Sequence, residues 1–256
     1  MEVVIGPSAA VLAADAIEAL VASRPDAVLG LATGSSPLPT YQELVRRHRA
    51  GTAPSYDEVR CFLLDEYVGL PAGHPQTYRE TIFRELTDAL GISRDRVAGP
   101  DPSDVRNAGR RYEEAIVAAG GVDLQVLGIG SDGHLAFNEP GSSLASLTRI
   151  KTLTARTRAD NARFLGSVDA VPHHVLTQGL GTILRARHLL LLAAGAGKAD
   201  AVAAAVEGPL SASCPASVLQ LHPHATVLVD DAAAARLERA SYYREVYADK
   251  PDWQGL

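Results

Sequence analysis

Apolar positions along the chain fall into two rhythms. Short apolar runs at Met1 to Ile5, Ala27 to Ala32, Glu58 to Leu64, Val122 to Ile129 and Arg187 to Ala194 alternate with longer stretches where apolar residues return every three or four positions. The first rhythm predicts buried strands and the second predicts amphipathic helices. Between Ser8 and Ser23, Leu12, Ala13, Ala16, Ile17, Leu20 and Val21 form one helical stripe. A second helix is expected to run to about Ala50, with Ser36 as its cap and Pro37 in its first position. Others are expected from Pro75 to Leu90, stopped by Gly91, from Ser103 to Ala119, in the alanine-rich stretch after Lys198, and near Asp231 to Tyr247. Ile150 to Leu153, Ser217 to Leu221 and Thr226 to Val229 read as short strands. Strand and helix in alternation are the sequence form of a mainly parallel sheet covered on both faces. The expected fold is therefore α/β, an open three-layer α/β/α sandwich with a mainly parallel, Rossmann-like sheet. With no fixed-period repeat and no low-complexity linker, a single domain over residues 1–256 is expected.

Composition narrows the class. A chain of 256 residues, 46% hydrophobic and 21% charged, matches ordinary globular usage and excludes disorder, collagen and a membrane bundle. The apolar run Leu189 to Ala194 is far short of the roughly 20 residues that a membrane helix needs. Glu2 stands where a secretory signal carries basic residues, and Gly6-Pro7 follows without an apolar core, so a cytoplasmic location is expected. Two cysteines, Cys61 and Cys214, are too few for a disulfide scaffold and lack zinc-site spacing; both read as buried thiols. A net charge of −6 argues against a general nucleic-acid binder. Any anionic ligand must then be held by local cations, and against 21 arginines there are only three lysines, Lys151, Lys198 and Lys250.

Three polar loops follow expected strands, where open α/β sheets bind ligands. Thr33-Gly34-Ser35-Ser36 offers backbone N–H groups, small hydroxyls and a helix start, which suit a phosphate as well as they suit an ordinary capped turn. Gly195-Ala196-Gly197-Lys198 is not a nucleotide P-loop, since Leu192 and Ala199 stand where glycine and Ser or Thr are required. A lysine at a glycine-rich turn is nonetheless a good phosphate contact; the alternative is a solvated surface lysine. Gly128-Ile129-Gly130-Ser131-Asp132-Gly133 matches a dinucleotide fingerprint, but Pro140 interrupts the helix that should follow and no acidic residue lies between Pro140 and Ala159. A nicotinamide cofactor is not expected.

The same loop continues as Asp132-Gly133-His134-Leu135-Ala136-Phe137-Asn138-Glu139-Pro140, an imidazole between two carboxylates. A carboxylate on one ring N–H fixes the tautomer and leaves the other nitrogen to move a proton near neutral pH. Asp65-Glu66 ends another strand; it holds either a general base, favoured by partial burial, or a helix cap or salt bridge. His222-Pro223-His224 lacks a third ligand for a metal. No Ser-His-Asp or Cys-His nucleophile set is supported by spacing.

The segments Leu64-Asp65-Glu66-Tyr67-Val68-Gly69-Leu70, Gly130 to Pro140 and Ser142 to Leu153 resemble the glucosamine-6-phosphate deaminase family, a likeness that extends over essentially the whole chain. The resemblance implies conversion of glucosamine 6-phosphate and water to fructose 6-phosphate and ammonium, with no metal or organic cofactor. It implies that Asp65 moves a proton between C2 and C1, and that His134 assists ring opening, polarised by Asp132 and Glu139. It also implies substrate-phosphate contacts from Thr33, Gly34, Ser35, Ser36, Arg163 and Lys198. Some relatives are homohexamers activated by N-acetylglucosamine 6-phosphate, and Ser142, Ser143, Arg149, Lys151 and Tyr243 resemble that second site, although Ser241 to Leu256 departs from the activated type and Glu2 is an awkward neighbour for a phosphate. The rival readings are a 6-phosphogluconolactonase, which resembles this chain less at Phe137 to Pro140 and Tyr67 to Gly69, and a non-catalytic sugar-phosphate sensor, for which no DNA-reading segment is left over.

Overall fold

The computed structural model describes residues 1–251 and 253–256. Its strands are β1 (Glu2–Ile5), β2 (Val28–Leu31), β3 (Arg60–Leu63), β4 (Asp65–Val68), β5 (Val97–Ala98), β6 (Leu124–Gly128), β7 (Arg149–Thr152), β8 (His174–Thr177), β9 (His188–Ala193) and β10 (Ala225–Val229). Seven of them form one parallel sheet in the order β1-β10-β9-β6-β2-β3-β5. The helices are α1 (Ala9–Ser23), α2 (Leu38–Arg49), α3 (Tyr78–Ile82), α4 (Asp88–Leu90), α5 (Val105–Ala118), α6 (Ala155–Leu165), α7 (Leu180–Ile183), α8 (Ala199–Val206) and α9 (Ala240–Ala248).

Successive side chains of a strand point to opposite faces, so a strand buried on both sides is mainly apolar; the one buried polar side chain of β6, Gln125, donates from Nε2 to the Val126 carbonyl at 2.9 Å. On β6, Leu124 and Val126 enter one core with Ala13, Ile17 and Val21 of α1 and Tyr41 and Leu44 of α2. Leu127 enters the opposite core with Tyr112 and Ile116 of α5 and Ala201 and Val202 of α8. The expected three layers are therefore present. The chain steps outward from β2 through β3 to β5, returns to β6 on the other side of β2, and then moves outward through β9 to β10. The reversal between β2 and β6 opens a crevice beyond their carboxyl ends, the usual ligand position of such sheets.

A second, three-stranded antiparallel sheet, β4-β8-β7, was not foreseen. Only Leu64 separates β3 from β4, so the chain passes from one sheet to the other at Asp65.

Four expected elements are corrected. Ser36 does not cap α2, which starts at Leu38 after a turn, with Pro37 in the cap position. The helix expected from Pro75 starts at Tyr78, capped by the Thr77 side chain, and is broken by a π-turn at Phe83–Thr87 that brings Phe83, Leu86 and Thr87 all into the interior. Ser217 to Leu221 is not a strand but part of a 3₁₀ helix, Pro215–Leu221, because the Ser217 hydroxyl bonds both the N–H and the carbonyl of Ser211 and bends the chain locally. The last helix begins at Ala240 rather than Asp231. Asp230 draws the N–H of Ala233 into a turn, and the Glu207 carboxylate takes the N–H groups of Glu238 and Arg239 just before the helix starts.

Candidate active site

The carboxyl ends of four adjacent strands, β9, β6, β2 and β3, carry the residues singled out in the sequence. Register keeps these ends level: Leu31 pairs with Leu63, and Gly128 with Leu192. Beyond β2, the Tyr41 hydroxyl donates to the Ala32 carbonyl at 2.8 Å and fixes the start of the Thr33 to Ser36 loop. Gly34 has φ +107°, open to glycine but strained for other residues. Among the described residues no hydrogen bond is donated by the backbone N–H groups of residues 33–36. Ser36 lies against Gly128, the last residue of β6.

Beyond β9, the N–H of Gly195 bonds both carboxylate oxygens of Asp230 at 3.0 Å, which anchors the turn. Lys198 reaches across to the Ile129 carbonyl at the end of β6, at 2.7 Å from its Nζ. The lysine thus bridges the two strands at the mouth of the crevice, close to the loop that carries His134. The side chain is partly enclosed there.

That loop is built on its glycines. Gly130 lies under the His134 imidazole, where any Cβ would stand 2.2 Å from the ring. Gly133 takes φ +83° against Cys214, and its carbonyl accepts from the Ala216 N–H at 2.8 Å. The GxGxxG spacing therefore serves ring packing and loop closure. His134 Nδ1 lies 2.6 Å from Asp132 Oδ1, a charge contact bent outside hydrogen-bond geometry, while the His134 backbone N–H donates to the same carboxylate oxygen at 3.2 Å. Asp132 and His134 thus form a pair. Glu139 is placed differently: its Oε1 accepts from the Thr154 hydroxyl at 3.1 Å and from the Thr157 hydroxyl, at the start of α6. Among the described residues, neither ring nitrogen of His134 contacts Glu139.

Of the adjacent carboxylates Asp65 and Glu66, the fold uses one in hydrogen bonds and not the other. Glu66 is the cap: it accepts from the N–H groups of Tyr67, Tyr78 and Arg79 at 2.9, 3.0 and 3.1 Å and so holds the start of α3. Asp65 is 8% exposed, and no hydrogen bond or ion pair reaches its carboxylate among the described residues. Burial, with the Glu66 charge alongside, pushes its carboxyl well above the ordinary value. An unpaired, buried carboxylate at a strand end is a strong proton acceptor when ionised. Beside it, Tyr67, Tyr78 and Phe137 pack with ring centroids 4.8 to 6.3 Å apart and enclose the small sheet.

Arg163 is exposed on α6, the helix whose start Glu139 holds. Of the expected second site, Ser142 and Ser143 lie in the loop before β7, and Arg149 and Lys151 share one face of that strand. Tyr243 is not with them. It lies on α9, and no hydrogen bond or ion pair joins it to the other four among the described residues. Glu2, the awkward acid near the start of the chain, is neutralised by the Lys250 ammonium at 2.6 and 2.8 Å. Thr154, Thr157 and Asp230 hold these loops in place without having been singled out. Only Asp230, at the end of an apolar strand like Asp65, left a signal in the sequence.

Fold and site together define a class: an α/β protein with a parallel sheet whose carboxyl-end loops carry, among the described residues, backbone N–H groups that donate to nothing, a lysine and a buried carboxylate that accepts no hydrogen bond. The chain belongs to the family of glucosamine-6-phosphate isomerases and 6-phosphogluconolactonases, whose family model matches residues 4–229. It is 63% identical over 262 aligned residues to a glucosamine-6-phosphate deaminase of Arthrobacter sp. (strain FB24), covering all of both chains. It is 60% identical, again over all of both chains, to one of Mycolicibacterium smegmatis (strain ATCC 700084 / mc(2)155). Among solved structures, a monomeric glucosamine-6-phosphate deaminase matches with a TM-score of 0.88 and 39% identity, over 92% of this chain and all of that one. A 6-phosphogluconolactonase of Thermotoga maritima matches with a TM-score of 0.69 and 21% identity, over 90% of this chain and 98% of that one, a likeness of fold alone.

Proposed function

We infer that this chain is a glucosamine-6-phosphate deaminase, which converts glucosamine 6-phosphate and water to fructose 6-phosphate and ammonium. The observation that carries the reading is full-length identity of 63% and 60% to deaminases, against 21% to a lactonase of the same fold. The geometry supports it, because the reaction needs proton carriers on a sugar and needs neither a nucleophile nor a hydride carrier.

In the proposed sequence, His134 takes the proton from the C1 hydroxyl and delivers one to the ring oxygen as the C1–O5 bond breaks, leaving the open-chain aldehyde. Asp132 orients the imidazole. The Asp65 carboxylate removes the C2 proton while O1 gains the proton that the substrate ammonium gives up, which makes an enolamine; Asp65 then returns its proton to C1, which leaves a protonated imine at C2. Water adds at C2, the C–N bond breaks, and ammonium and the ketose depart. The N–H groups of residues 33–36 with Lys198 and Arg163 are assigned to the phosphate, whose binding orients C1 and C2. Glu139 acts through Thr154 and Thr157 by fixing the start of α6, the helix that carries Arg163.

The same proposal takes residues 1–256 as one catalytic domain working in the cytoplasm, where sugar phosphates are retained by their charge. Activation by N-acetylglucosamine 6-phosphate at Ser142, Ser143, Arg149 and Lys151 belongs to it too. With Tyr243 apart in the same chain, that site is complete only if a second copy supplies the tyrosine. Sigmoidal kinetics turning hyperbolic with the activator support this part; hyperbolic, unresponsive kinetics end it.

The main test follows ammonium and fructose 6-phosphate together from purified protein and glucosamine 6-phosphate. Equal release of both is expected. Turnover of 6-phosphogluconolactone with no release of ammonium overturns the reading.

A further inference from the structure

We propose that the dipeptide Thr177-Gln178 at the end of β8 is a positioning element that holds Asp65 and the His134 loop in one fixed geometry, with Gln178 its central residue. The proposal rests on the deaminase reading, since it concerns two groups that must act on neighbouring atoms of one sugar.

The two proton-transfer groups come from different parts of the fold. Asp65 lies where the chain leaves the parallel sheet for the small one, and His134 lies on the loop after β6. Thr177 and Gln178 touch both. Thr177 is the antiparallel partner of Asp65. The Gln178 N–H donates to the Leu64 carbonyl at 2.7 Å, and its side-chain Nε2 donates to the Leu63 carbonyl at 3.0 Å. The two residues before Asp65 are thereby tied to one glutamine.

On the other side, the Thr177 hydroxyl accepts from the Phe137 N–H at 3.2 Å. The Gln178 carbonyl accepts from Asn138 Nδ2 at 2.8 Å, and the same amide nitrogen donates to the Leu135 carbonyl at 3.0 Å. Leu135 is the residue after His134. Thr177, Gln178 and Asn138 are each 1% exposed or less, so no water competes for these bonds.

Two features indicate a role beyond packing. Two carbonyls facing the Asn138 amide nitrogen fix its orientation and leave Oδ1 buried with no hydrogen-bond partner among the described residues. Buried polar groups are ordinarily paired, and exceptions collect where function requires them. Ala136, inside the tied segment, has φ +52°, the one positive-φ residue other than glycine among the described residues. Such backbone strain persists only where the surroundings over-determine it.

The experiment begins with the wild-type protein: failure to release ammonium and fructose 6-phosphate together ends the deaminase reading and leaves nothing here to position. Given turnover, Gln178→Ala and Thr177→Val are assayed well below their melting temperatures for kcat, for KM and for solvent deuterium at C1 of the product formed in D₂O. A displaced base is expected to lower kcat roughly 10- to 100-fold, with KM within about twofold because the phosphate contacts are elsewhere. It is also expected to raise deuterium at C1, as the proton escapes to solvent before its return. Thr177→Ser, which keeps the hydroxyl, is expected to restore kcat. If Gln178→Ala does not fold, the Thr177→Val and Thr177→Ser pair decides. Unchanged kcat and deuterium content in Thr177→Val, or a Thr177→Ser variant as impaired as Thr177→Val, overturns the proposal.

Discussion

At the N-terminal ends of the parallel strands, polar side chains are consumed by the fold. Asp123, 4% exposed, accepts from the N–H of Val28 at 2.8 Å and from the Arg24 and Arg187 guanidinium groups at 2.6 and 2.5 Å. His222 accepts from the His224 N–H on Nδ1 at 3.1 Å and bonds the Ala186 carbonyl through Nε2 at 2.8 Å, and His188 bonds the Thr226 hydroxyl while stacked on His224 at 3.7 Å. At the carboxyl ends the pattern reverses: Asp65 accepts no hydrogen bond, and the N–H groups of residues 33–36 donate none among the described residues. Residue types are similar at the two ends, so type alone does not mark a site. What marks it is hydrogen-bonding capacity left over once the fold has taken its share.

The largest expected effect sharpens this contrast. Asp65→Asn keeps shape and removes the proposed base, so kcat is expected to fall roughly 10²- to 10⁴-fold. Folded Asp65 holds its proton to a higher pH than the unfolded chain does, so its ionisation costs stability as pH rises through that window. The asparagine variant is then expected to melt higher than wild type at neutral pH, by about 2–4 °C for each kcal/mol relieved. For the same reason the acid limb of the wild-type rate profile is expected above the ordinary aspartate value of about 3.9. A variant that is both inactive and less stable would mean that Asp65 belongs with Asp123. Next in size, Lys198→Ala is expected to raise KM for glucosamine 6-phosphate about 10-fold or more, as expected for a lost charge-assisted phosphate contact, with a smaller change in kcat. A loss confined to kcat would remove the lysine from the phosphate.

The legible part of the molecule was the part with a period. β2 is an unbroken apolar run, and β6, β9 and β10 are apolar but for Gln125, His188 and Thr226; the polar residues that follow β2, β6 and β9 are among those the sequence put forward as candidates. The small sheet had no such signature. β7, Arg-Ile-Lys-Thr, was read as a strand over Ile150 to Leu153, but β4, Asp-Glu-Tyr-Val, starts with two charged residues and becomes a strand only by pairing with β8, far away in the chain. With β8 unseen, Gln178 and Thr177 had no reason to stand out. The choice between Asp65 and Glu66 was likewise illegible, because it depends on the N–H groups of Tyr78 and Arg79, brought back to Glu66 by the turn before α3. The π-turn at Phe83–Thr87 kept helical spacing on either side and left no mark in the pattern.

Asp123→Asn tests the consumed end. The buried carboxylate loses its charge while its two arginine partners stay partly exposed, so solvent screens part of the loss. The expected cost is about 1–3 kcal/mol, read as a lower melting temperature, with kcat and KM for glucosamine 6-phosphate within about twofold of wild type. A large kinetic effect with normal stability would carry function to this end of the sheet and break the comparison.

The smallest effect concerns His188, where burial, aided by the neighbouring His224, His222 and Lys250, lowers the imidazole to about 4 from its usual 6.5. Between those values the unfolded chain takes up a proton that the folded one refuses, so stability falls as pH drops from 6.5 toward 4. That is opposite in sign to the contribution of Asp65, whose protonation relieves a buried charge. His188→Phe keeps a flat ring against His224 and removes the titration; losing the bond to Thr226 adds an offset that does not vary with pH. Denaturant midpoints of the two proteins across this range are expected to converge toward acid, with a difference in slope of at most about 1.4 kcal/mol per pH unit. Parallel curves would mean that His188 is protonated in the fold, and that even at the consumed end a histidine retains capacity of its own.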